Sequence, residues 1–248
     1  MKIDINCDIG EHFGIYKLGN DRDIMPYITS VNIACGFHAG DPNVMYDTVK
    51  AALSFKLKIG AHPGFMDKEG FGRRNIAVSE HDVYCLVLYQ IGALDAVVKA
   101  KGGILHHVKP HGALYNMAAE NRRLADAISK AILDYNPHLK LFGLPNSELS
   151  ISAAAHGVHF LNEIFADRNI GDDGKLVPRT SKDAIITDVA VSADHLGRIL
   201  KTGYAKTLNG NLVPMHGDTI CVHGDQVEAV AFAQNLKRLL DGMNHDGN

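Results

Sequence analysis

The chain has 248 residues, of which 46% are hydrophobic and 21% charged, and its formal net charge is −3. These values are typical of a folded globular domain and argue against long disordered or coiled-coil segments. The absence of a dense Lys/Arg run excludes a nucleic-acid surface, and no apolar run reaches the ~18 residues of a membrane span. The unusual count is histidine, with 14 residues.

The chain start and the cysteines predict a compartment. The opening MKIDINCD lacks the charge and apolar pattern of a signal peptide. The four cysteines are widely spaced, without a C-x-x-C pair, which is typical of reduced thiols. We therefore expect a cytoplasmic protein with no nucleic-acid or membrane partner.

The first half of the chain alternates short apolar strands with helices. Asp41-Pro42 predicts the start of an amphipathic helix over 43–56, and Ser79-Glu80 that of a longer helix over 80–101. The predicted strands are 3–6, 31–34, 58–61 and 104–108.

The second half repeats this pattern. A polar loop is predicted over 167–183, and Asn209-Gly210 predicts a hairpin turn. The predicted strands are 139–144, 158–165 and 218–225, and the predicted helices are 121–134, 147–156, 188–203 and 225–241.

Seven strands joined by helices indicate an α/β protein with a parallel sheet. A closed barrel and an open doubly wound sheet both fit this order. We favour a seven-stranded parallel β/α barrel, because polar candidates follow almost every strand and the loops of a barrel converge at one mouth. A single domain is expected over 1–242, with a frayed tail over 243–248.

The candidate functional residues lie at the predicted strand ends. A lone His at such a place is more often a packing residue, but candidates after five or six strands indicate a shared site. In chain order they are Asn6, Asp8, Glu11, His38, Asp41, His62, Asp67, Arg73, Arg74, His106, His107, Lys109, His111, Glu163, Asp167, Arg168, His223 and Asp225.

Two chemistries compete for this site. In the first, His and Asp side chains bind a divalent metal that activates water, and His107 and His111 have the spacing of a ligand pair. Pro110 removes the helical basis for the His-x-x-x-His pair, and Lys109 would repel a cation. In the second, Asp8 or Glu11 is a base, a His carries the proton, and Lys109 with arginines holds an anionic substrate.

Other catalytic patterns are missing from the sequence. There is no G-x-S-x-G elbow, and Gly174-Lys175 lacks the rest of a P-loop.

Several strings resemble the LamB/YcsF family. They run from the first predicted strand to the last and cover nearly the whole chain. The strings are DINCDIGEHFG from Asp4, NIACGFHAGDP from Asn32, IGAHPGF from Ile59, GFGRR from Gly70, YQIGAL from Tyr89, HVKPHGALYN from His107, EIFADR from Glu163, DGKLVPR from Asp173 and ICVHGD from Ile220. The family pattern has a small residue, usually Ser, where this chain has His12.

The resemblance implies a barrel similar to the glycoside hydrolase/deacetylase superfamily. In the related deacetylases an Asp after the first strand and an H-x-x-x-H pair hold a metal, which makes Asp8, His107 and His111 the metal candidates here. It implies ATP-dependent opening of 5-oxo-L-proline to L-glutamate together with two partner subunits, B and C. ATP would act with Mg2+, and no tightly bound transition metal is expected. Phosphorylation of the stable lactam at its oxygen would give an imidate-like species that water attacks.

The residues and the resemblance together assign roles. The expected substrate or phosphate ligands are Asn6, Arg73, Arg74, Glu163, Arg168 and His223. The expected catalytic residues are Asp8, Glu11, His38, His62, Lys109 and His111. Two alternatives stay open: a metal-dependent deacetylase or amidohydrolase acting alone, and a non-catalytic subunit that binds the lactam.

Overall fold

Seven parallel strands close into a barrel in the computed structural model, which describes residues 3–19, 21–223 and 229–245. Strand β9 pairs with both β6 and β1 and so closes the sheet, which confirms the barrel over the open sheet. The short strands β7 and β8 pair antiparallel around the predicted Asn209-Gly210 turn. The described residues form the strands β1 (Asp4–Ile9), β2 (Ser30–Ala34), β3 (Lys58–His62), β4 (Leu105–Val108), β5 (Lys140–Gly143), β6 (His159–Phe165), β7 (Tyr204–Lys206), β8 (Leu212–Pro214) and β9 (Thr219–His223).

The helices follow the predicted order, and two short ones at Asp21–Ile24 and Gly112–Glu120 were not predicted. The Asp41 side chain accepts hydrogen bonds from the amides of Asn43 and Val44 and starts α2 as expected. The helix predicted at 121–134 is observed at Arg122–Tyr135, where the Asn121 side chain caps it. The helices are α1 (Asp21–Ile24), α2 (Pro42–Ser54), α3 (Glu80–Ala100), α4 (Gly112–Glu120), α5 (Arg122–Tyr135), α6 (Glu148–His156), α7 (Val189–Thr202) and α8 (Ala229–His245).

Some expectations concern the end of the chain. Helix α8 reaches His245, four residues beyond the predicted end at 241. Two parts of these expectations lie outside the described residues. One is the candidate Asp225 with the predicted start of this helix, and the other is residues 246–248 of the expected tail.

By length and composition, one helix in the described parts of the chain could cross a membrane, and this is α3. No such helix was expected from the sequence. The helix packs against α5, β3 and β4, and its buried residues include the polar Gln90 and Asp95. A barrel helix with one face on the strands passes the same test as a membrane span.

The interior of the barrel is polar. Along β1 the side chains alternate, so Asp4, Asn6 and Asp8 lie on one face and make hydrogen bonds across the barrel. Asn32 donates to both Asn6 and Asp8, at 2.7 and 2.8 Å. The ring of His107 lies 2.7 Å from the side-chain oxygen of Asn32. Branched apolar residues usually fill such a barrel, so this network is a departure that fixes the floor of a site.

Gly60 makes room for one member of this network. A Cβ on Gly60 would overlap the imidazole of the fully buried His107 on the neighbouring strand. We expect Gly60→Ala to lower the free energy of unfolding by at least about 1–3 kcal/mol, because the ring has no space to move into. Denaturant unfolding of the variant measures this loss.

Gly92 in α3 is the matched control for Gly60. The nearest atom to its added Cβ is 3.8 Å away, on Tyr135. Gly92→Ala is expected to cost nothing or to stabilise by up to about 1 kcal/mol, since Ala is the better helix former. Equal losses in both variants would contradict the packing argument.

Asp4 ties the amino ends of the strands together. It accepts hydrogen bonds from Thr29, Ser30 and Thr219 and pairs with Lys58 at 3.1 Å. Burial raises the pKa of this carboxyl, but the Ser30 bond, the Lys58 charge and the Thr219 bond outweigh it and lower the pKa below 3.8.

Asp4→Asn is therefore expected to destabilise the protein at neutral pH by about 1–3 kcal/mol. A lowered folded-state pKa gives stability that is present above the unfolded-state pKa and is lost as the pH falls through the folded-state value. The difference between wild type and Asp4→Asn should thus shrink as the pH falls below 3.8. Denaturant unfolding across this range measures it, and a difference that does not change with pH would contradict the charge argument.

Candidate active site

A cavity of about 850 Å³ opens at the carboxyl ends of the barrel strands. This is the end at which barrel enzymes carry their active sites. Its wall combines acidic, basic and aromatic side chains. Among them are Asp8, Glu11, His62, Arg73, Arg74, Lys109, His111, Tyr115, Phe165, Arg168, Lys175, Arg179 and His223.

Lys109 occupies the centre of the floor of this cavity. Its ammonium lies 2.8 Å from Asp8 Oδ1 and 2.9 Å from Glu163 Oε1. It also donates to Cys221 Sγ at 3.0 Å and to Asn6 Oδ1 at 3.3 Å. Lys109 is only 3% exposed, so it is not a surface lysine with its charge in water. It lies at the predicted mouth, but its anionic partners are protein carboxylates.

The pairing fixes the charges of Asp8 and Lys109. Burial alone would lower the pKa of Lys109, but Asp8, Cys221 and Glu163 raise it well above the usual value. Burial alone would raise the pKa of Asp8, but His62 and Lys109 lower it well below the usual value. Asp8 is therefore a carboxylate and Lys109 an ammonium at neutral pH.

Three histidines and Glu11 form a second group beside Asp8, the histidine cluster. The rings of His38 and His111 stack in parallel at 3.7 Å, and His62 meets His111 edge-on. His62 Nε2 lies 3.3 Å from Asp8 Oδ2, so the Asp8 carboxylate stands between Lys109 and this cluster. The structure thus brings together the histidines predicted after β2, β3 and β4.

Glycines and a glutamine build the walls of the histidine cluster. A Cβ on Gly64 or Gly72 would overlap His38. Gln90 of α3 donates to the carbonyl of Gly64 and accepts from its amide, which fixes the loop after β3. Burial lowers the pKa of His38 and of His111 well below the usual value, so both rings are neutral.

An Asp–His pair lies on the other side of Lys109. His223 Nδ1 is 2.8 Å from a carboxylate oxygen of the buried Asp167, and since a carboxylate only accepts, Nδ1 donates. Burial raises the pKa of Asp167, but His223 lowers it below the usual value. A ring nitrogen of His223 lies within 4.8 Å of Asp8, so the pair reaches the same centre.

The arginines differ in their surroundings. Arg168 is buried and donates to the carbonyls of Val177 and Ala184, and burial and Arg179 lower its pKa to about 10. Arg74 pairs with Asp67, whereas Arg73 stacks over Phe71 at 4.8 Å. All of them line the cavity wall, and Arg168 also holds its own loop in place.

Several candidates lie elsewhere. The structure does not join His107 to His111: His107 stacks on Phe142 inside the barrel, because β4 ends at Val108 and the chain turns at Pro110. The metal set of Asp8, His107 and His111 is therefore not assembled. Asn6, His38 and Glu163 lie beneath the cavity surface, and Asp41 caps α2.

Several residues of the site were not among the candidates from the sequence, and Lys175 at the rim is one of them. Tyr115 lies on the unpredicted helix α4, its hydroxyl is buried, and burial and Glu163 raise its pKa. Cys221 contacts Lys109, although its string ICVHGD suggested only His223 and Asp225. Arg179 follows Pro178 in a loop that offered no periodic signal.

The fold and the site together define the class of protein. It is a closed parallel β/α barrel with buried carboxylate, ammonium and imidazole groups, which can act as acids and bases, at the carboxyl ends of the strands.

Comparison with known proteins identifies the family. The model of the LamB/YcsF family matches residues 3–246, and the chain belongs to that family. Two Bacillus cereus proteins, each named as the A subunit of 5-oxoprolinase, are 54% and 52% identical over 237 and 246 residues; the alignments cover 95% and 99% of this chain and 94% and 96% of theirs. The crystal structure of a lactam utilization protein from Thermus thermophilus superposes with a TM-score of 0.92 at 40% identity and covers 98% of both chains.

Proposed function

We propose that this chain is a catalytic subunit of an ATP-dependent 5-oxoprolinase in the cytoplasm. The reaction is cleavage of 5-oxo-L-proline to L-glutamate with hydrolysis of ATP to ADP and phosphate. The observation that carries the proposal is the 54% identity, over 95% of this chain, to a protein named as the A subunit of 5-oxoprolinase. That name also supports partner subunits, which we propose are B and C.

The floor of the cavity suits the chemistry of a lactam. Asp8 is an ionised carboxylate at the cavity wall, placed to take a proton from the attacking water. Lys109 keeps Asp8 ionised and fixes its direction. His223, oriented by Asp167, is placed to give a proton to the ring nitrogen when the carbon–nitrogen bond breaks.

The rim of the cavity suits anions. Arg73, Lys175 and Arg179 line its wall and can meet the carboxylate of 5-oxoproline and the phosphates of ATP. Because Lys109 is 3% exposed and lies between Asp8 and Glu163, whereas the side chains of the rim reach the solvent, we assign substrate charge to this rim and not to Lys109. ATP brings Mg2+ with its phosphates, and its phosphoryl group activates the stable amide towards water.

The test is turnover of the purified chain with and without subunits B and C. We expect glutamate and ADP in equal amounts, only when ATP and both partners are present. Hydrolysis of the lactam by the isolated chain without ATP would favour the metal-dependent hydrolase acting alone. Full activity of a complex carrying Asp8→Asn would favour a non-catalytic lactam-binding role.

A further inference from the structure

Donor atoms of three side chains in the histidine cluster converge on one point. His62 Nε2 lies 2.9 Å from His111 Nδ1, and Glu11 Oε1 lies 3.8 and 3.3 Å from these nitrogens, respectively. In the plane of the three atoms, the point equidistant from them is about 2.0 Å from each, which is the bond length from zinc to imidazole nitrogen or carboxylate oxygen.

Backbone carbonyls fix which nitrogen of each ring carries hydrogen. His62 Nδ1 lies 2.7 Å from the carbonyl oxygen of Lys109, and His111 Nε2 lies 2.8 Å from that of Phe71. A carbonyl oxygen only accepts, so these nitrogens donate, and in a ring with a single N–H the facing nitrogen carries the lone pair. Two lone pairs and a carboxylate oxygen would then face one another, which is repulsive unless a metal ion or a shared proton lies among them.

The surroundings hold this arrangement in place. His38 stacks on His111, and its Nε2 donates to Glu11 Oε1 at 3.2 Å, which orients the carboxylate. Histidines that bind metals usually donate their other N–H to a carbonyl or a carboxylate, as both His62 and His111 do here.

We propose that Glu11, His62 and His111 bind one divalent first-row transition-metal ion of the zinc type. Two imidazoles and one carboxylate with open positions are the ligand set of catalytic zinc and non-haem iron centres. All three residues line the cavity, so a bound ion would meet a carbonyl oxygen or a water there.

The sequence-based expectation of no transition metal depended on Lys109 lying between His107 and His111. In the structure the ammonium of Lys109 is on the far side of the Asp8 carboxylate from the cluster. His62 and Glu11 take the places that were expected of His107 and Asp8.

A single proton is the competing occupant. A hydrogen on His62 Nε2, shared with His111 Nδ1, would also remove the repulsion between lone pairs. It would require no metal, so metal binding decides between the two.

The experiment uses the isolated chain, freed of metal with a chelator and dialysed. Zn2+ is titrated by calorimetry, and Co2+ is followed by its visible d–d absorption. We expect one equivalent to bind, with Mg2+ as a poor competitor because it prefers oxygen ligands. Loss of a residue that only supports a metal ligand weakens metal binding up to ~100-fold. Because His111→Asn and Glu11→Gln remove ligands themselves, each should weaken the binding of Zn2+ by at least this factor.

His195→Asn is the matched control, since His195 is a buried histidine of α7 outside the cluster. It should bind metal as the wild type does. No saturable binding by the wild type, or equal binding by Glu11→Gln, would overturn the proposal and indicate the shared proton.

Circular dichroism checks that each variant is folded, and Glu11→Gln carries the test where His111→Asn does not fold. The measurement needs no lactam, ATP or partner. Failure of the proposed 5-oxoprolinase activity would therefore leave its result unaffected.

Discussion

Asp8→Asn is expected to reduce the rate of glutamate formation by the reconstituted complex at least about 100-fold, the usual effect of losing a general base. Asparagine keeps the size of the side chain and can still accept from Asn32 and Lys109, but it does not take a proton. The fold should survive with a loss of about 1–3 kcal/mol, the cost of weakening a hydrogen bond to a charged group. Steady-state kinetics and denaturant unfolding measure the two effects separately.

Asp4→Asn provides the control within the same strand. Asp4 also lies in the polar interior, but at the amino ends of the strands, away from the cavity. It should lose stability and keep its turnover number under conditions where it is folded. If Asp8→Asn retains full activity with the partner subunits, the catalytic role of Asp8 is wrong.

Lys109→Met is expected to abolish turnover and to destabilise the protein by about 3–5 kcal/mol, the cost of removing one partner from a buried ion pair. From the sequence, Lys109 was expected to hold an anionic substrate, and loss of such a residue would leave the melting temperature nearly unchanged. The structure places its ammonium between Asp8 and Glu163. Methionine fills the space but leaves two buried carboxylates close together. Thermal unfolding and kinetics of the complex measure both effects.

A double variant separates charge balance from chemistry. Lys109→Met with Glu163→Gln removes one positive and one negative charge, so part of the stability should return while turnover stays absent. Lys99→Met is the control for loss of an exposed ion pair, because Lys99 is 70% exposed in its pair with Asp95; it should cost at most about 0.5 kcal/mol. An unchanged melting temperature in Lys109→Met would contradict the buried pairing.

The barrel could be predicted because polar loops follow apolar strands in regular order. How deep the site lies within the barrel could not be predicted. Strand β1 was predicted to end at Asn6, because Asp8 read as a loop residue; in the structure it continues to Ile9 with its polar face inward. Sequence rules assume that the apolar face of a strand points to the core, and a polar barrel interior reverses this at Asn6, Asp8 and Asn32.

Spacing along the chain misled for a related reason. His107 and His111 are four residues apart, but one lies within strand β4 and the other after the turn at Pro110. Their neighbours come from different strands, and no local pattern reports this. His38 and His62 were candidates because each follows a predicted strand, and the structure shows that glycines in these loops provide space for the ring of His38.

The polar interior of the barrel also constrains how the protein is made. Asn6 bonds to Thr219 across 213 positions of sequence, and Lys109 bonds to Cys221 across 112. These contacts exist only once the final strand has docked beside the first, so contact order is high and folding is expected to be slow. A nascent chain still held by the ribosome short of β9 would carry unpaired polar groups in a half-closed sheet. The acid–base centre would form only when β9 docks beside β1, in the same step that closes the barrel.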